Sequence, residues 1–229
     1  MKLRLDGTKL TLVCEKFYFW PMLLTLFTEG LIIGLLASMP LGPVNILVIQ
    51  RTITRNRKEG FYSGLGVALS DTLYASFAAF SVGFILQFIK EYDLIFRMTV
   101  SLLLFLLGLF ILFANPGKTN TMGENGKNNN LKRFASTFLL TVSNPLIIFL
   151  HLALFTSFGI ALNVNHPSEA FTVLVGFLAG AVTWWFSITG IVSRFRNFFS
   201  LKICLWFNRI AGSVIILLIT GSLIYFFLP

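Results

Sequence analysis

A chain of 229 residues that is 56% hydrophobic and only 12% charged, with a mean hydropathy of +0.82, is not a soluble globular domain, which carries about 25% charged residues. It is an integral membrane protein, and its length leaves no room for a separate soluble domain. The net charge of +9 does not make it a nucleic-acid binder, because the excess sits in alternate connections between apolar runs.

The first stretch carries Lys2, Arg4, Lys9 and Lys16 against Asp6 and Glu15. It lacks the uncharged core and small-residue cleavage site of a signal peptide. Residues 1–29 therefore read as an N-terminal extension, either lying on the membrane surface, ordered as an ordinary tail, or belonging to a start placed too early. Six apolar runs follow, each about 20 residues or longer as a spanning helix requires: Gly30–Gln50, Phe61–Ile89, Leu94–Ala114, Phe134–Leu162, Ala170–Val192 and Ile210–Leu228. They are continuously apolar, unlike the alternating strands of a barrel. The expected fold is all-α, a polytopic bundle of six transmembrane helices.

The first run is interrupted by Ser38, Met39, Pro40, Leu41, Gly42, Pro43, Val44 and Asn45. A proline inside a helix brings no N–H and clashes with the carbonyl four residues back. In hydrocarbon, freed backbone groups are tolerated only where protein or a wet cavity satisfies them. A second interruption, Ser143-Asn144-Pro145, breaks the fourth run. The second and fifth runs open on glycines, Gly64 and Gly66 in one and Gly176 and Gly180 in the other; aligned on Gly66 and Gly176, Tyr74 falls opposite Trp184. Two halves of three spans, residues 30–114 and 134–229, thus read as repeats, separated by a flexible Asn-rich loop at 115–133. A half with an odd number of spans must be followed by one that enters from the opposite side. Inverted repeats with broken helices are the pattern of secondary transporters.

Loops one, three and five are basic, through residues such as Arg51 and Arg55, Lys132 and Arg133, and Arg194 and Arg209; loops two and four are not. The positive-inside rule assigns the basic loops to the cytoplasm and both termini to the outer side. Cys14 and Cys204 then lie on opposite sides of the membrane and match no metal-site spacing. The fifth loop mixes cations with Phe198, Phe199 and Trp206, as an interfacial segment does.

At about 1.5 Å per residue, Pro43 lies roughly 19 Å along its run, and Asp71 and Asn144 each roughly 15 Å along theirs. All three come near the middle of a hydrocarbon core about 30 Å thick. Asp71 is the only acid deep in a predicted span. A buried carboxylate there must be paired, solvated or protonated, so its functional reading is proton coupling or cation binding. Pro40, Gly42, Pro43, Asn45, Asn144 and Pro145 read as substrate-binding, with Trp184, and Trp185 beside it, as candidate walls or as ordinary bundle packing. A half-helix starting near Pro43 offers its positive end to a carboxylate. Asn45 and Asn144 both donate and accept hydrogen bonds, which suits a zwitterion. His151 reads first as a hydrogen-bonded core histidine, with a proton relay as the alternative.

The order of these features resembles the lysine exporter (LysE/RhtB) family of bacterial translocators. The resemblance rests on Pro40-Leu41-Gly42-Pro43-Val44-Asn45, the step Arg57-Lys58-Glu59-Gly60, Gly64 and Gly66 followed by Asp71, Asn144-Pro145, and the ending Phe207-Asn208-Arg209-Ile210-Ala211-Gly212 with Gly221. It covers nearly everything after about residue 28. What it implies is an amino-acid exporter of the bacterial inner membrane, driven by the proton motive force, with protons and a small amino-acid-like solute as partners, no cofactor and no metal. The inserted Leu41 marks a divergent branch, so the resemblance does not carry the substrate's identity. It leaves monomer and homodimer open. Among rival functions, a thiol relay needs cysteines that the broken helices lack, and an exporter of metal cations needs several clustered ligands. An intramembrane enzyme needs a catalytic pair at one depth. A non-transporting scaffold needs no deep aspartate.

Overall fold

The computed structural model describes residues 7–39, 42–113, 129–144, 147–160, 162, 166–196 and 201–227. Pro40, Leu41, Pro145 and most of the loop at 115–133 fall outside them. The described residues form seven helices and no strand: α1 (Gly7–Ala37), α2 (Pro43–Thr54), α3 (Arg57–Phe113), α4 (Asn130–Val142), α5 (Ile147–Ser157), α6 (Pro167–Arg194) and α7 (Leu201–Phe227).

Both expected interruptions are there. The first predicted span is divided between α1 and α2, and the fourth between α4 and α5, which meet at 77°. Pro43 occupies the first position of α2, where a missing N–H costs nothing. Gly42 caps that helix at φ 100°, a left-handed conformation natural to glycine. Gly159, at φ 68°, ends α5, and the chain then returns by a hydrogen bond from Leu162 N–H to Ala79 O (3.1 Å). Among the described residues, Trp20–Ala37 of α1 and the whole of α6 are long and apolar enough to cross a membrane, and the bent pair α4–α5 would be a third.

Two differences from expectation concern boundaries. The helix expected from Gly30 already runs at Trp20, so Glu29 falls inside the apolar part of α1, where it is half-buried. The second and third predicted spans form one helical run of 57 residues, α3, with Lys90, Glu91 and Asp93 inside it rather than in a loop. Between Gly83 and Gly108 there is no glycine or proline to stop a helix. The run is nevertheless not straight. Asp71 and Ile111 line the same small cavity, whereas 40 residues of straight helix span about 60 Å. The run therefore doubles back between them.

Helix registers fix relative directions. In α1 and α6, a Cβ on Gly30 would run into the Val173 carbonyl and one on Gly34 into that of Phe177. Reciprocally, Gly176 faces the Phe27 carbonyl and Gly180 that of Leu31. Both series advance together, so α1 and α6 are parallel and touch backbone to backbone, as small residues allow in a membrane. The start of α3 and α4 form a second parallel pair. Gly66 faces the Phe134 carbonyl, Ser70 Oγ donates to Phe138 O (3.0 Å), Thr137 Oγ1 donates to Ser63 O (2.7 Å) and Tyr74 OH donates to Val142 O (2.7 Å).

The two pairs correspond contact by contact. Gly66 meets Phe134 as Gly176 meets Phe27; Ser70 meets Phe138 as Gly180 meets Leu31; Thr137 meets Ser63 as Gly30 meets Val173. They also point in opposite directions. α2 runs antiparallel to the start of α3, where Thr52 packs on Gly60 and Arg51 reaches Ser63. It runs parallel to α6, with Val44 and Val48 in one cluster with Ala181 and Trp185, and Ile46 and Ile49 in another with Val192. Finally, Gly108 of α3 and Gly212 of α7 cross on one another, each facing the other's carbonyl.

Candidate functional site

Where the two interruptions meet there is a cavity of about 50 Å³. By volume it holds a few waters or one small polar group. Gly42, Val44 and Asn45 line it from the start of α2, Asp71 from α3, Thr141 and Asn144 from the end of α4, and His151 from α5. Leu107, Phe110 and Ile111, from the far part of α3, close it with apolar surface.

The interruptions satisfy their own backbone. Pro43 deprives the Met39 carbonyl of its helical donor, and Asn45 Nδ2 donates to that oxygen instead (3.1 Å). The Leu36 carbonyl, which Pro40 would leave open, accepts from Met39 N–H (3.2 Å). The Thr141 carbonyl, which Pro145 would leave open, accepts from Asn144 N–H (3.0 Å). No solute is needed to hold the breaks. Pro43 brings no N–H, so the first donors of α2 are those of Val44 and Asn45, both at the cavity. A Cβ on Gly42 would meet open space, so glycine is there for its φ rather than for lack of room.

Asp71 is 5% exposed, and among the described residues no hydrogen bond or ion pair engages its carboxyl. Thr141 Oγ1 donates to Thr137 O (2.8 Å). His151 is fully buried, and its Nδ1 lies 2.9 Å from Ile147 O. A carbonyl can only accept, so Nδ1 carries the proton. Its Nε2 is buried with no hydrogen-bond partner among the described residues.

Of the residues singled out in the sequence, Gly42, Asn45, Asp71 and Asn144 come together, and Pro43 starts the helix beside them. Pro40 and Pro145 lie outside the described residues. Trp184 does not line the cavity; it packs beside the cluster of Val44, Val67 and Trp185. It is Trp185 that faces α3, against Gly64, and its neighbour is turned about 100° away on the helix. Thr141 was not expected at the site, and His151 only as the alternative to a core histidine. Their signal was present: Thr137, Thr141, Asn144 and His151 recur at helical spacing in an apolar run.

A second polar cluster lies at the opposite end of α2, six residues or about 9 Å beyond Asn45. Arg133 Nε pairs with Glu59 Oε2 at 3.0 Å, both side chains almost fully buried. Arg51 donates to Ser63 Oγ (2.9 Å), Ser136 Oγ (2.8 Å) and Arg133 O (3.3 Å). Asn56 Oδ1 accepts from Glu59 N–H (2.9 Å). The cluster ties together α2, α3 and α4. In the sequence these are ordinary loop charges, and nothing there marks them as buried.

Comparison with known proteins adds the following. The family model described as "LysE type translocator" matches residues 35–225. A Bacillus subtilis (strain 168) protein, named "Putative amino acid efflux protein YcgF", is 29% identical over 203 residues, covering 82% of this chain and 90% of that protein. No solved structure matches.

Proposed function

The chain belongs to the LysE type translocator family, and from that premise we propose that it exports amino acids or similar small zwitterions across the bacterial inner membrane by proton antiport, with Asp71 as the coupling carboxylate. It is a transporter and not an enzyme. One observation carries the reading: both helix interruptions and a buried carboxylate border a single cavity. The name of the Bacillus subtilis relative agrees with the solute class.

The matched contacts of the two parallel pairs support an arrangement of six spans in two inverted halves, related by an axis through the Gly108–Gly212 crossing. Rocking one half against the other then exposes a midplane site to each side in turn. The basic loops face the cytoplasm and both termini the outer side. The solute's carboxylate sits at the start of α2, against the first N–H groups and the positive end of the helix. Asp71 alternates between its charged and neutral forms as the site alternates between sides.

The test is export from proteoliposomes loaded with each of the common amino acids, with and without an imposed proton gradient. Gradient-dependent export of at least one is expected. Asp71→Asn should abolish the gradient's effect on export. An unchanged response to the gradient removes the coupling role.

A further inference from the structure

Three of the side chains around the cavity each spend a donor on the chain itself. Thr141 gives its hydroxyl proton to Thr137 O, His151 gives its Nδ1 proton to Ile147 O, and Asn45 gives an amide proton to Met39 O. What Thr141 and His151 have left are acceptors: the lone pairs of Thr141 Oγ1 and of His151 Nε2. Ionised Asp71 is acceptor-only as well. An unpartnered imidazole nitrogen, fully buried and in a side chain that lines the cavity, is costly to leave so unless something donates to it. Three acceptors from three elements, α3, α4 and α5, match the three N–H donors of a primary ammonium group. They do not match a carboxylate, which they would repel. A hard cation such as sodium wants oxygen ligands throughout, and the imidazole does not supply one.

We infer that Asp71, Thr141 and His151 form the subsite for the ammonium group of the exported solute, with His151 Nε2 as a specificity-determining acceptor. This rests on the export reading above and names the half of the zwitterion that reading left unassigned. It also gives the coupling a physical form. A proton and an ammonium group compete for the Asp71 carboxylate, and a site that holds one or the other moves them in opposite directions. The proton adds to Asp71 as the ammonium leaves, and leaves Asp71 before the next ammonium enters.

The experiment compares the best-exported amino acid with its α-hydroxy acid counterpart in proteoliposomes of the full chain. Wild type should move the hydroxy acid at least about tenfold less well, as expected when charge-assisted hydrogen bonds are lost. His151→Leu should raise KM for the amino acid about tenfold, and His151→Gln, which keeps an acceptor, should restore most of the loss. Because a leucine variant can fail to fold, the wild-type protein supplies a second readout. Diethyl pyrocarbonate attacks unprotonated imidazole nitrogens, and the chain has 2 histidines. Saturating amino acid should protect His151 and leave exposed His166 as reactive as before. Equal export of the hydroxy acid, wild-type KM in the leucine variant, or equal protection of both histidines overturns the ammonium subsite while export itself stands. Export of no amino acid by the wild type overturns both readings.

Discussion

The α1·α6 and α3·α4 seams have one geometry and two chemistries. Each is a parallel crossing with the same contact pattern. In the first, Gly30, Gly34, Gly176 and Gly180 let backbone touch backbone. In the second, Gly66 is followed by Ser70, Thr137 and Tyr74, which reach across to carbonyls, and the seam ends in the buried Arg133–Glu59 pair. Among the described residues the glycine seam holds by close contact, with no room for a side chain at Gly30, Gly34, Gly176 or Gly180. The polar seam holds by separate links, each of which can pass from one partner to another. Asp71 and Thr141 belong to the helices of the polar seam, so the cavity is built where the packing is made of exchangeable contacts.

The sharpest way to break this comparison is to fill the glycine seam. Gly34→Leu should leave no well-folded protein, because its Cβ meets the Phe177 backbone and neither helix can yield locally. Monodispersity in detergent reads this out. Glu59→Gln comes next. It removes the buried carboxylate that pairs with Arg133 Nε, and a loss of about 3–5 kcal/mol is expected by reversible denaturation. Replacing Arg133 by Gln as well should recover most of it; no recovery would mean that the pair is not the element holding the seam's end.

Smaller effects sharpen the comparison by exchanging matched positions. Gly180→Ser should cost about 1–3 kcal/mol, since the added atoms meet the Leu31 carbonyl. The reciprocal Ser70→Gly removes one link, Ser70 Oγ to Phe138 O, and should cost only about 1 kcal/mol. Equal costs for the two exchanges would show that the seams do not differ in tolerance. Tyr74→Phe, which deletes a single exposed-side hydrogen bond to Val142 O, should cost least, about 0.5–1 kcal/mol in the same melting experiment.

The residues at the two interruptions and Asp71 were legible in the sequence because hydrocarbon is unforgiving. A proline pair, an asparagine or an aspartate within an apolar run has to line something. Counting residues at a fixed helical rise then brings Pro43, Asp71 and Asn144 to similar distances along their runs. The same counting was blind to which face each residue takes. It did not separate Trp184 from Trp185, of which the helix turns Trp185 onto Gly64, and a hydrogen-bonded core histidine, which His151 is, gave no sign of a second, unpartnered nitrogen. It also took Arg51, Glu59 and Arg133 for loop charges. Their burial follows only from the way α2, α3 and α4 close around them.

By itself the sequence determined the membrane class, the helical fold, the two interruptions and the polar residues set within apolar runs. Each follows from a local rule about apolar length, proline and buried charge. Only the tertiary structure decided that the interruptions share a cavity, that one seam is glycine and the other hydroxyl, and that Asp71, Thr141 and His151 border the same space. A hydrogen-bonding group's role depends on where its protons have already gone, and that is settled by neighbours distant in the chain.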